Sequence, residues 1–307
     1  MLLSYIIFKK AFGEARGEYV YAPENYVPKP SDENVMGPHA ERFKLLADKN
    51  RDLIQTKDIS KMSITSDDGL KLNAYFVKND VPTENTAVLI HGHGSQALCD
   101  GAAKAFGFLE AGFNVLMPDN RGCGESEGKW MTFGAKESDD TLLWIKKLCE
   151  MYPEGKILVD GGSLGGATVC MLASKDLPQN VKFIVSDCAY ETLEEQFRFV
   201  VKKMAHISPD LLKPLFAGVE HFMKKNIGFG LDDIKPVESV KKAKVPMIIV
   251  HGKDDRYIPV SFGEDIYAAC TTEKKLVIID DAGHVGSFPT DQEKYMSAVK
   301  EFAEKYM

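Results

Sequence analysis

Gly161-Gly162-Ser163-Leu164-Gly165-Gly166 stands between an apolar run, Lys156 to Asp160, and a run of mostly small residues, Ala167 to Ala173. The first run is typical of a buried strand and the second is compatible with a helix, which places the G-x-S-x-G pattern on a strand-to-helix turn. On such a turn the Ser163 hydroxyl stands above the sheet, and the next backbone N–H is free to bind an anion. Because the same pattern also occurs in ordinary turns, the rest of the chain has to decide whether Ser163 is a nucleophile.

The composition is that of a globular protein with a sizeable core, since 44% of the 307 residues are hydrophobic and 27% are charged. The net charge of -7, with acids and bases interleaved, argues against a nucleic-acid partner. The six cysteines are scattered without a C-x-x-C pair, which predicts reduced thiols and a cytoplasmic protein. Cys188 follows an apolar run and is interpreted as a buried thiol, with a catalytic cysteine as the alternative.

The N-terminal segment Leu2 to Phe8 is apolar but too short to cross a bilayer. Its basic residues, Lys9 and Lys10, follow the apolar stretch, whereas a signal peptide carries them before it. We therefore expect a short amphipathic helix packed on the domain and no stable membrane insertion. Contact with a membrane surface is the alternative.

The chain is predicted to consist of an arm, a core and an insertion. Residues 1–56 form the arm, which is proline-rich in its middle and ends in a helix at Ala40 to Ile54. Residues 57–188 and 237–307 form the core, where a hairpin is followed by short apolar strands alternating with helices. This alternation implies a mostly parallel sheet covered on both faces. Residues 189–236 are amphipathic and helical, and we expect them to form a cap over the carboxyl edge of the sheet.

Chemically reactive residues follow three different predicted strands. Ser163 follows one, the pair Asp254 and Asp255 follows another, and His284 follows the last. Ligand sites of parallel sheets lie at the carboxyl ends of the strands, so these side chains are expected to meet. A serine hydroxyl needs a neighbouring base, and an imidazole base needs a carboxylate that orients it and stabilises its cation. The residues alone leave both aspartates open for the carboxylate role.

Three further motifs resemble the α/β-hydrolase superfamily. The stretch His251-Gly252-x-x-Asp255-x-x-Ile258-Pro259 is similar to its H-G-x-x-D-x-x-V-P acid loop, and Leu89 to Gly94 is similar to its H-G-x-G oxyanion loop. Asp119 to Ser126 resembles a D-x-R-G-x-G-x-S loop whose aspartate and arginine brace neighbouring loops. The resemblance is closest to bacterial serine hydrolases of the uncharacterised esterase or serine-aminopeptidase-like type. It runs from Ile59 to the C-terminus and omits the arm.

The resemblance implies an α/β fold with a mostly parallel eight-stranded sheet, helices on both faces and a helical cap. It also implies that Ser163 is the nucleophile, His284 the general base and acid, and Asp255 the residue that orients the imidazole. The oxyanion hole would consist of the backbone N–H groups of His93 and Leu164.

We expect hydrolysis of small or medium carboxylic esters through an acyl-enzyme on Ser163, without a metal or organic cofactor. His91 and His93 alternate as a metal pair would, but no further ligands follow at metal spacing. The apolar residues of the cap favour an uncharged substrate, and the sequence does not indicate an oligomeric state.

Two alternatives remain open. One is a peptidase or amidase that uses the same three residues, with acidic side chains at the start of the cap holding a free amino terminus. The candidates for that role are Glu191, Glu194 and Glu195. The other alternative is a hydrolase-fold binding module without catalytic activity.

Overall fold

The computed structural model describes residues 1–13, 46, 49, 50, 52, 54, 56–204 and 209–307. Within them eight strands form one sheet in the order β1-β2-β4-β3-β5-β6-β7-β8. Strand β2 runs antiparallel to both of its neighbours, and the remaining strand pairs are parallel. The predicted eight-stranded, mostly parallel sheet is therefore confirmed. The strands are β1 (Ile59–Thr65), β2 (Lys71–Val77), β3 (Thr86–Ile90), β4 (Asn114–Pro118), β5 (Ile157–Gly162), β6 (Val181–Asp187), β7 (Met247–Gly252) and β8 (Lys274–Ile279).

Helices cover both faces of the sheet, and each face has its own apolar cluster. Trp144 and Ile266 lie in the cluster on one face, and Phe108 and Phe302 lie in the cluster on the other. The helices of the described residues are α1 (Leu2–Phe12), α2 (Ala102–Glu110), α3 (Glu137–Met151), α4 (Leu164–Leu172), α5 (Leu193–Met204), α6 (Lys213–Ile227), α7 (Pro236–Val240), α8 (Val260–Ala269), α9 (Ser287–Thr290) and α10 (Gln292–Tyr306).

The burial of the strands explains why the sheet is readable from the sequence. Every residue of β3 and β4 is buried, as expected of central strands covered on both faces. In the edge strand β1, partly buried residues are interleaved with exposed ones. The predicted hairpin is present as β1 and β2, although the second strand is one residue shorter at each end than expected.

The predicted N-terminal helix is present as α1, and it packs closely on α6. A Cβ atom at Gly218 would lie 2.2 Å from the Ser4 hydroxyl oxygen, so glycine permits the approach of the two helices. Phe8 and Phe12 of α1 are fully buried. Residues 46, 49, 50, 52 and 54 belong to the helix predicted over 40–54, and all of them are helical. The proline-rich middle of the predicted arm lies outside the described residues.

The segment predicted as a cap contains α5 and α6 and links β6 to β7. The division of the chain into arm, core and cap stays a prediction. No helix among the described residues is long and apolar enough to cross a membrane. All six cysteines are free thiols.

Candidate active site

Ser163 lies on the tight turn between β5 and α4, with φ 56° and ψ -115°. Residues other than glycine rarely adopt a positive φ, so the surrounding structure must hold this turn in place. A Cβ atom at Gly161 would lie 2.2 Å from the carbonyl oxygen of Gly165, and one at Gly165 would lie 2.2 Å from that of Ile90. These two glycines allow the close approach that the motif predicts. Gly162 faces open space, since its nearest neighbour would be 4.0 Å away.

The structure brings the three predicted side chains together in one hydrogen-bonded chain. His284 Nε2 lies 2.9 Å from Ser163 Oγ, and His284 Nδ1 lies 2.8 Å from Asp255 Oδ2. All three residues are buried, although Ser163 and His284 keep 7% and 6% of their surface accessible. The arrangement can transfer a proton from the hydroxyl to the imidazole, with the carboxylate behind the ring.

Asp255, and not Asp254, contacts the imidazole. Its second oxygen, Oδ1, accepts hydrogen bonds from the backbone N–H groups of Tyr257 (2.9 Å) and Ile258 (2.8 Å). Burial alone would raise the pKa of Asp255, but the neighbouring His284 and His251 outweigh it and hold this pKa well below its usual range. Asp255 therefore stays ionised, whereas Asp254 is exposed to solvent.

His251 is a neighbour of the site that the sequence analysis does not single out. Its Nε2 atom lies 3.0 Å from the carbonyl oxygen of Ile258 and 3.5 Å from Asp255 Oδ2. Burial acts to lower the pKa of His251, but the adjacent Asp255 carboxylate raises it overall. The signal was present in the sequence, because His251 opens the acid-loop motif that ends in Pro259.

The loop after β3 places the predicted oxyanion donor His93 at the edge of the site. Asp100 braces this loop, since its carboxylate accepts the N–H of Gly92 (2.9 Å) and the hydroxyl of Ser95 (2.7 Å). Within the described part of the chain, the backbone N–H groups of His93 and Leu164 donate to no other protein atom. Both remain available to a ligand.

A cavity of about 390 Å³ opens beside Leu164 and His93. Its walls come from α1, α5 and the acid loop, and most of the lining is apolar. The contribution of α1 is not foreseen by the sequence analysis, because no local pattern reveals which surface an N-terminal helix will cover. The lining residues are Ile7, Lys10, Ala11, His93, Phe133, Leu164, Tyr190, Gln196, Phe197, Val200, Tyr257 and Ile258.

The ring of His93 fastens α1 over this cavity. Its Nε2 atom donates to the carbonyl oxygen of Ala11 at 2.7 Å, and the ring packs against Phe133 with centroids 5.2 Å apart. The residue is exposed, although desolvation by the surrounding protein atoms lowers the pKa of His93. Its hydrogen bond to Ala11 positions the helix.

Cys188 lies next to the triad and is fully buried. Desolvation raises the pKa of this buried thiol well above its usual value, so it stays protonated. Its sulfur, one oxygen of Asp255 and one nitrogen of His284 lie within 4.8 Å of one another. These three atoms are of the kinds that can bind a metal ion. Because Asp255 and His284 already bind each other and the thiol is neutral, the set fits the hydrogen-bonded triad better than a metal. The interpretation of Cys188 as a buried thiol is confirmed.

A buried ionic cluster supports the strands below Ser163. Lys104 Nζ lies 2.8 Å from Asp160 Oδ1 and 3.1 Å from Asp187 Oδ2. Ser287, two residues beyond the strained Val285, donates to the other oxygen of Asp187. The cluster thus ties β5 and β6 to the segment that follows His284.

The D-x-R-G-x-G-x-S loop braces its surroundings, as its resemblance implies. Asp119 accepts the backbone N–H groups of Ala97 and Glu125, each at 2.8 Å. Arg121 binds both oxygens of Asp140 at 2.7 Å, and it also contacts Asp68. Ion pairs of this kind hold loops in register and do not reach the cavity.

The glutamates predicted as candidates for binding an amino terminus do not line the cavity. Glu194 accepts two hydrogen bonds from Arg198, and Glu195 lies 3.8 Å from the same guanidinium. Glu191 is not among the lining residues, and burial raises its pKa. The charged side chain that lines the described cavity is the cation Lys10.

A family model described as the alpha/beta hydrolase fold matches residues 88–228. The chain is similar to the uncharacterised protein YqkD of Bacillus subtilis, with 27% identity over 90% of this chain and 88% of YqkD. It is also similar to the uncharacterised protein YfhR of Escherichia coli, with 23% identity over 74% of each chain.

Solved structures share the fold. The esterase Pf2001 of Pyrococcus furiosus superposes with a TM-score of 0.66 and 24% identity, over 82% of this chain and 92% of the esterase. Acetyl xylan esterase 1 of Thermoanaerobacterium superposes with a TM-score of 0.60 and 18% identity, over 90% of this chain and 99% of the esterase. For the acylaminoacyl peptidase of Pyrococcus horikoshii the TM-score is 0.59 and the identity 16%, over 84% of this chain and 44% of the peptidase. With the family model and the sheet order, these likenesses lead to one conclusion: the chain has the alpha/beta hydrolase fold.

Proposed function

We propose that this protein is a serine hydrolase that cleaves small or medium carboxylic esters through an acyl-enzyme on Ser163. The observation that carries the proposal is the hydrogen-bonded chain from Asp255 through His284 to Ser163, with both distances below 3 Å. This chain ends at a hydroxyl on a strained turn beside an apolar cavity. Such a constellation is the requirement for acyl transfer by a serine.

In the acylation step, His284 Nε2 takes the proton of Ser163 as Oγ bonds to the ester carbonyl carbon. The carbonyl oxygen becomes an oxyanion, which the N–H groups of His93 and Leu164 bind. When the tetrahedral intermediate collapses, the C–O bond to the alcohol breaks and His284 donates its proton to the leaving oxygen. Asp255 holds Nδ1–H in place and stabilises the imidazolium throughout.

Deacylation repeats these steps with water. His284 takes a proton from the water molecule, whose oxygen bonds to the acyl carbon, and the second oxyanion occupies the same N–H pair. Collapse breaks the bond to Ser163 Oγ, which recovers its proton from His284, and the carboxylic acid leaves. Apart from the ester and water, each of these steps uses groups that the described residues provide.

The cavity supports an uncharged acyl substrate. Most of its lining is aliphatic or aromatic, and a volume of about 390 Å³ is of the size that small-molecule sites have. In this proposal α1 and the helical segment 189–236 act together as a cap that forms the acyl-binding walls. The structural likeness to proteins named as esterases is consistent with this choice, although it shows the fold alone.

A peptidase that requires a free amino terminus is less well supported. Such an enzyme needs a carboxylate near the cavity, whereas the charged group lining it is Lys10, which would repel an ammonium. A non-catalytic module is disfavoured because the three side chains are present and joined by hydrogen bonds.

A substrate panel tests the proposal directly. We expect p-nitrophenyl esters with acyl chains of about two to eight carbons to be hydrolysed, and aminoacyl p-nitroanilides to react at least about 100-fold more slowly. A fluorophosphonate probe should label the wild-type protein on Ser163 and leave the Ser163→Ala variant unlabelled. Preferential turnover of the anilides would replace the esterase proposal with the peptidase alternative, and absence of labelling would reject both.

A further inference from the structure

Helix α1 presents apolar side chains on more than one side of its axis. On the inner side Phe8 and Phe12 are fully buried. On the neighbouring side Ile7 and Ala11 line the cavity beside Leu164. These two sides pack the helix on the domain, and the third side faces outward.

The outward side of α1 is apolar at its start and basic at its end. Leu2, Leu3 and Ile6 keep 76%, 59% and 43% of their surface exposed. Positions 2, 6 and 9 form one row along the outward side of the helix, and Leu3 lies beside the start of this row. The row begins with a leucine and ends with the exposed Lys9, and the exposed Lys10 lies at the border between the outward side and the cavity.

A further exposed apolar side chain lies near the start of the neighbouring helix α6. Ser4 packs on Gly218 and Phe8 lies near Phe222, so α1 and α6 run side by side in the same direction. Leu211, just before α6, therefore belongs to the same end of the pair as the start of α1, and it is 75% exposed. Several large apolar side chains exposed at one end of two packed helices are typical of an interaction site.

We infer that the outward side of α1 docks on an anionic phospholipid surface. Helices that lie in a lipid interface combine apolar rows with lysines, as α1 does, and its 11 residues are too few to span a bilayer. Lys9 and Lys10 form no ion pair with the described part of the chain, so both are available to lipid headgroups. Anionic headgroups provide the charge complement that these lysines lack.

A second copy of the chain is a poorer occupant of this surface. A two-fold contact would bring two copies of α1 together, because such interfaces use the same patch on both partners. Helix α1 contains no acidic residue. Pairing would therefore confront four lysines without a counter-charge from either helix, whereas a lipid surface leaves each lysine beside an anionic headgroup.

Docking would also bring the cavity to the lipid, since Ile7, Lys10 and Ala11 of the same helix form one of its walls. Acyl esters dissolved in the bilayer could then enter the cavity beside α1 without crossing bulk water. This consequence rests on the proposed ester hydrolysis, whereas the docking itself does not.

Vesicle flotation with the full chain tests the docking. We expect binding to phosphatidylcholine–phosphatidylglycerol vesicles that weakens with salt. The double variant Leu2→Ser/Leu3→Ser should bind the vesicles at least about 10-fold more weakly, because two exposed leucines no longer enter the interface. Lys9→Gln should lower the affinity for the anionic vesicles about fivefold and change the affinity for pure phosphatidylcholine vesicles little. The matched control is Val81→Ser, which removes an apolar side chain that is 70% exposed at the opposite edge of the sheet and should bind as the wild type does.

Separate readouts distinguish docking from catalysis. The Ser163→Ala variant should bind vesicles as the wild type does, and the double leucine variant should hydrolyse p-nitrophenyl acetate at the wild-type rate. Wild-type protein that ignores anionic vesicles would overturn the inference, as would binding that survives the double variant. A dimer in sedimentation velocity that the double variant dissociates would identify this surface as a contact between copies instead. Intact vesicle binding without ester turnover would contradict only the proposed function.

Discussion

His93 donates a hydrogen bond from Nε2 to the carbonyl oxygen of Ala11, 2.7 Å away, and thereby joins the N-terminal helix to the loop that follows β3. The same residue provides a backbone N–H that faces no protein acceptor among the described residues. One position thus serves two purposes: its ring holds a wall of the cavity, and its backbone is the proposed oxyanion donor.

His93→Ala separates these two purposes, because it removes the ring and keeps the backbone N–H. Loss of one hydrogen bond loosens α1 by about 0.5–1.5 kcal/mol. We expect KM for p-nitrophenyl octanoate to rise up to about 10-fold while kcat for the acetate changes little. His93→Gln, whose side-chain amide can donate to Ala11, should recover much of the loss. An equal fall in kcat for all chain lengths would instead place the ring at the reaction centre.

Ser163→Ala should lower kcat for p-nitrophenyl butyrate by about 10⁴-fold or more, because the nucleophile is removed. The variant keeps a side chain no larger than the original, so its thermal midpoint should stay close to that of the wild type. Ser126, the other serine in a G-x-S sequence, is the control. Its hydroxyl donates to the carbonyl oxygen of Asp119 at 2.7 Å. Ser126→Ala should therefore lose stability and keep its turnover, and comparable turnover losses in both variants would remove the basis for assigning Ser163.

Asp255→Asn should lower kcat by about 10⁴-fold, because an amide cannot stabilise the imidazolium and favours the wrong tautomer of His284. Asp254→Asn alters an exposed carboxylate and should change kcat by less than about twofold. Steady-state kinetics on the same ester measure both. Equal losses in the two variants would show that the acid loop acts as a unit and that the carboxylate is not assigned by its contact with His284.

The triad is predictable from the sequence because each of its members follows a strand of recognisable pattern. Parallel strands bring their carboxyl ends to one edge, so Ser163 and His284 are expected to meet although 121 positions separate them. The choice of Asp255 over Asp254 needs the resemblance, because strand patterns do not resolve neighbouring loop residues.

The cavity wall formed by α1 is not predictable in the same way. Its placement depends on the fit of Ser4 against Gly218 and on the bond from His93 to Ala11, contacts between residues far apart in the chain. Periodicity identifies the helix but gives no information about its partner. His251 is a similar case, since its contact with Asp255 depends on the path of the loop between them.

Gly165→Ala should prevent normal folding or destabilise the protein by more than about 3 kcal/mol, because the new methyl group would lie 2.2 Å from the carbonyl oxygen of Ile90. The nearest atoms all belong to the backbone of Ile90 and His91, so no flexible side chain can move aside for the methyl group. Gly162→Ala is the matched control, since its methyl group would have no neighbour nearer than 4.0 Å. Urea unfolding should show a change of less than about 1 kcal/mol for the control. A similar loss in both variants would mean that flexibility of the turn, rather than space, requires the glycines.

The ionisation of Asp255 makes a prediction about stability and pH. The folded-state pKa of this carboxyl lies below its ordinary value of 3.8, so the unfolded chain binds the proton more tightly than the folded protein does. The carboxylate therefore contributes stability that is fully present well above pH 3.8 and is lost as the pH falls toward the lowered pKa. In urea unfolding, the free-energy difference between wild type and Asp255→Asn should shrink as the pH falls below about pH 4. At higher pH the difference also contains the titration of His251, whose pKa Asp255 raises, so the test is made below the range in which His251 titrates. Asp254→Asn should show no such trend. A difference that grows as the pH falls below about pH 4 would mean that the pKa of Asp255 is raised in the folded protein, and the ionised carboxylate behind His284 would have to be abandoned.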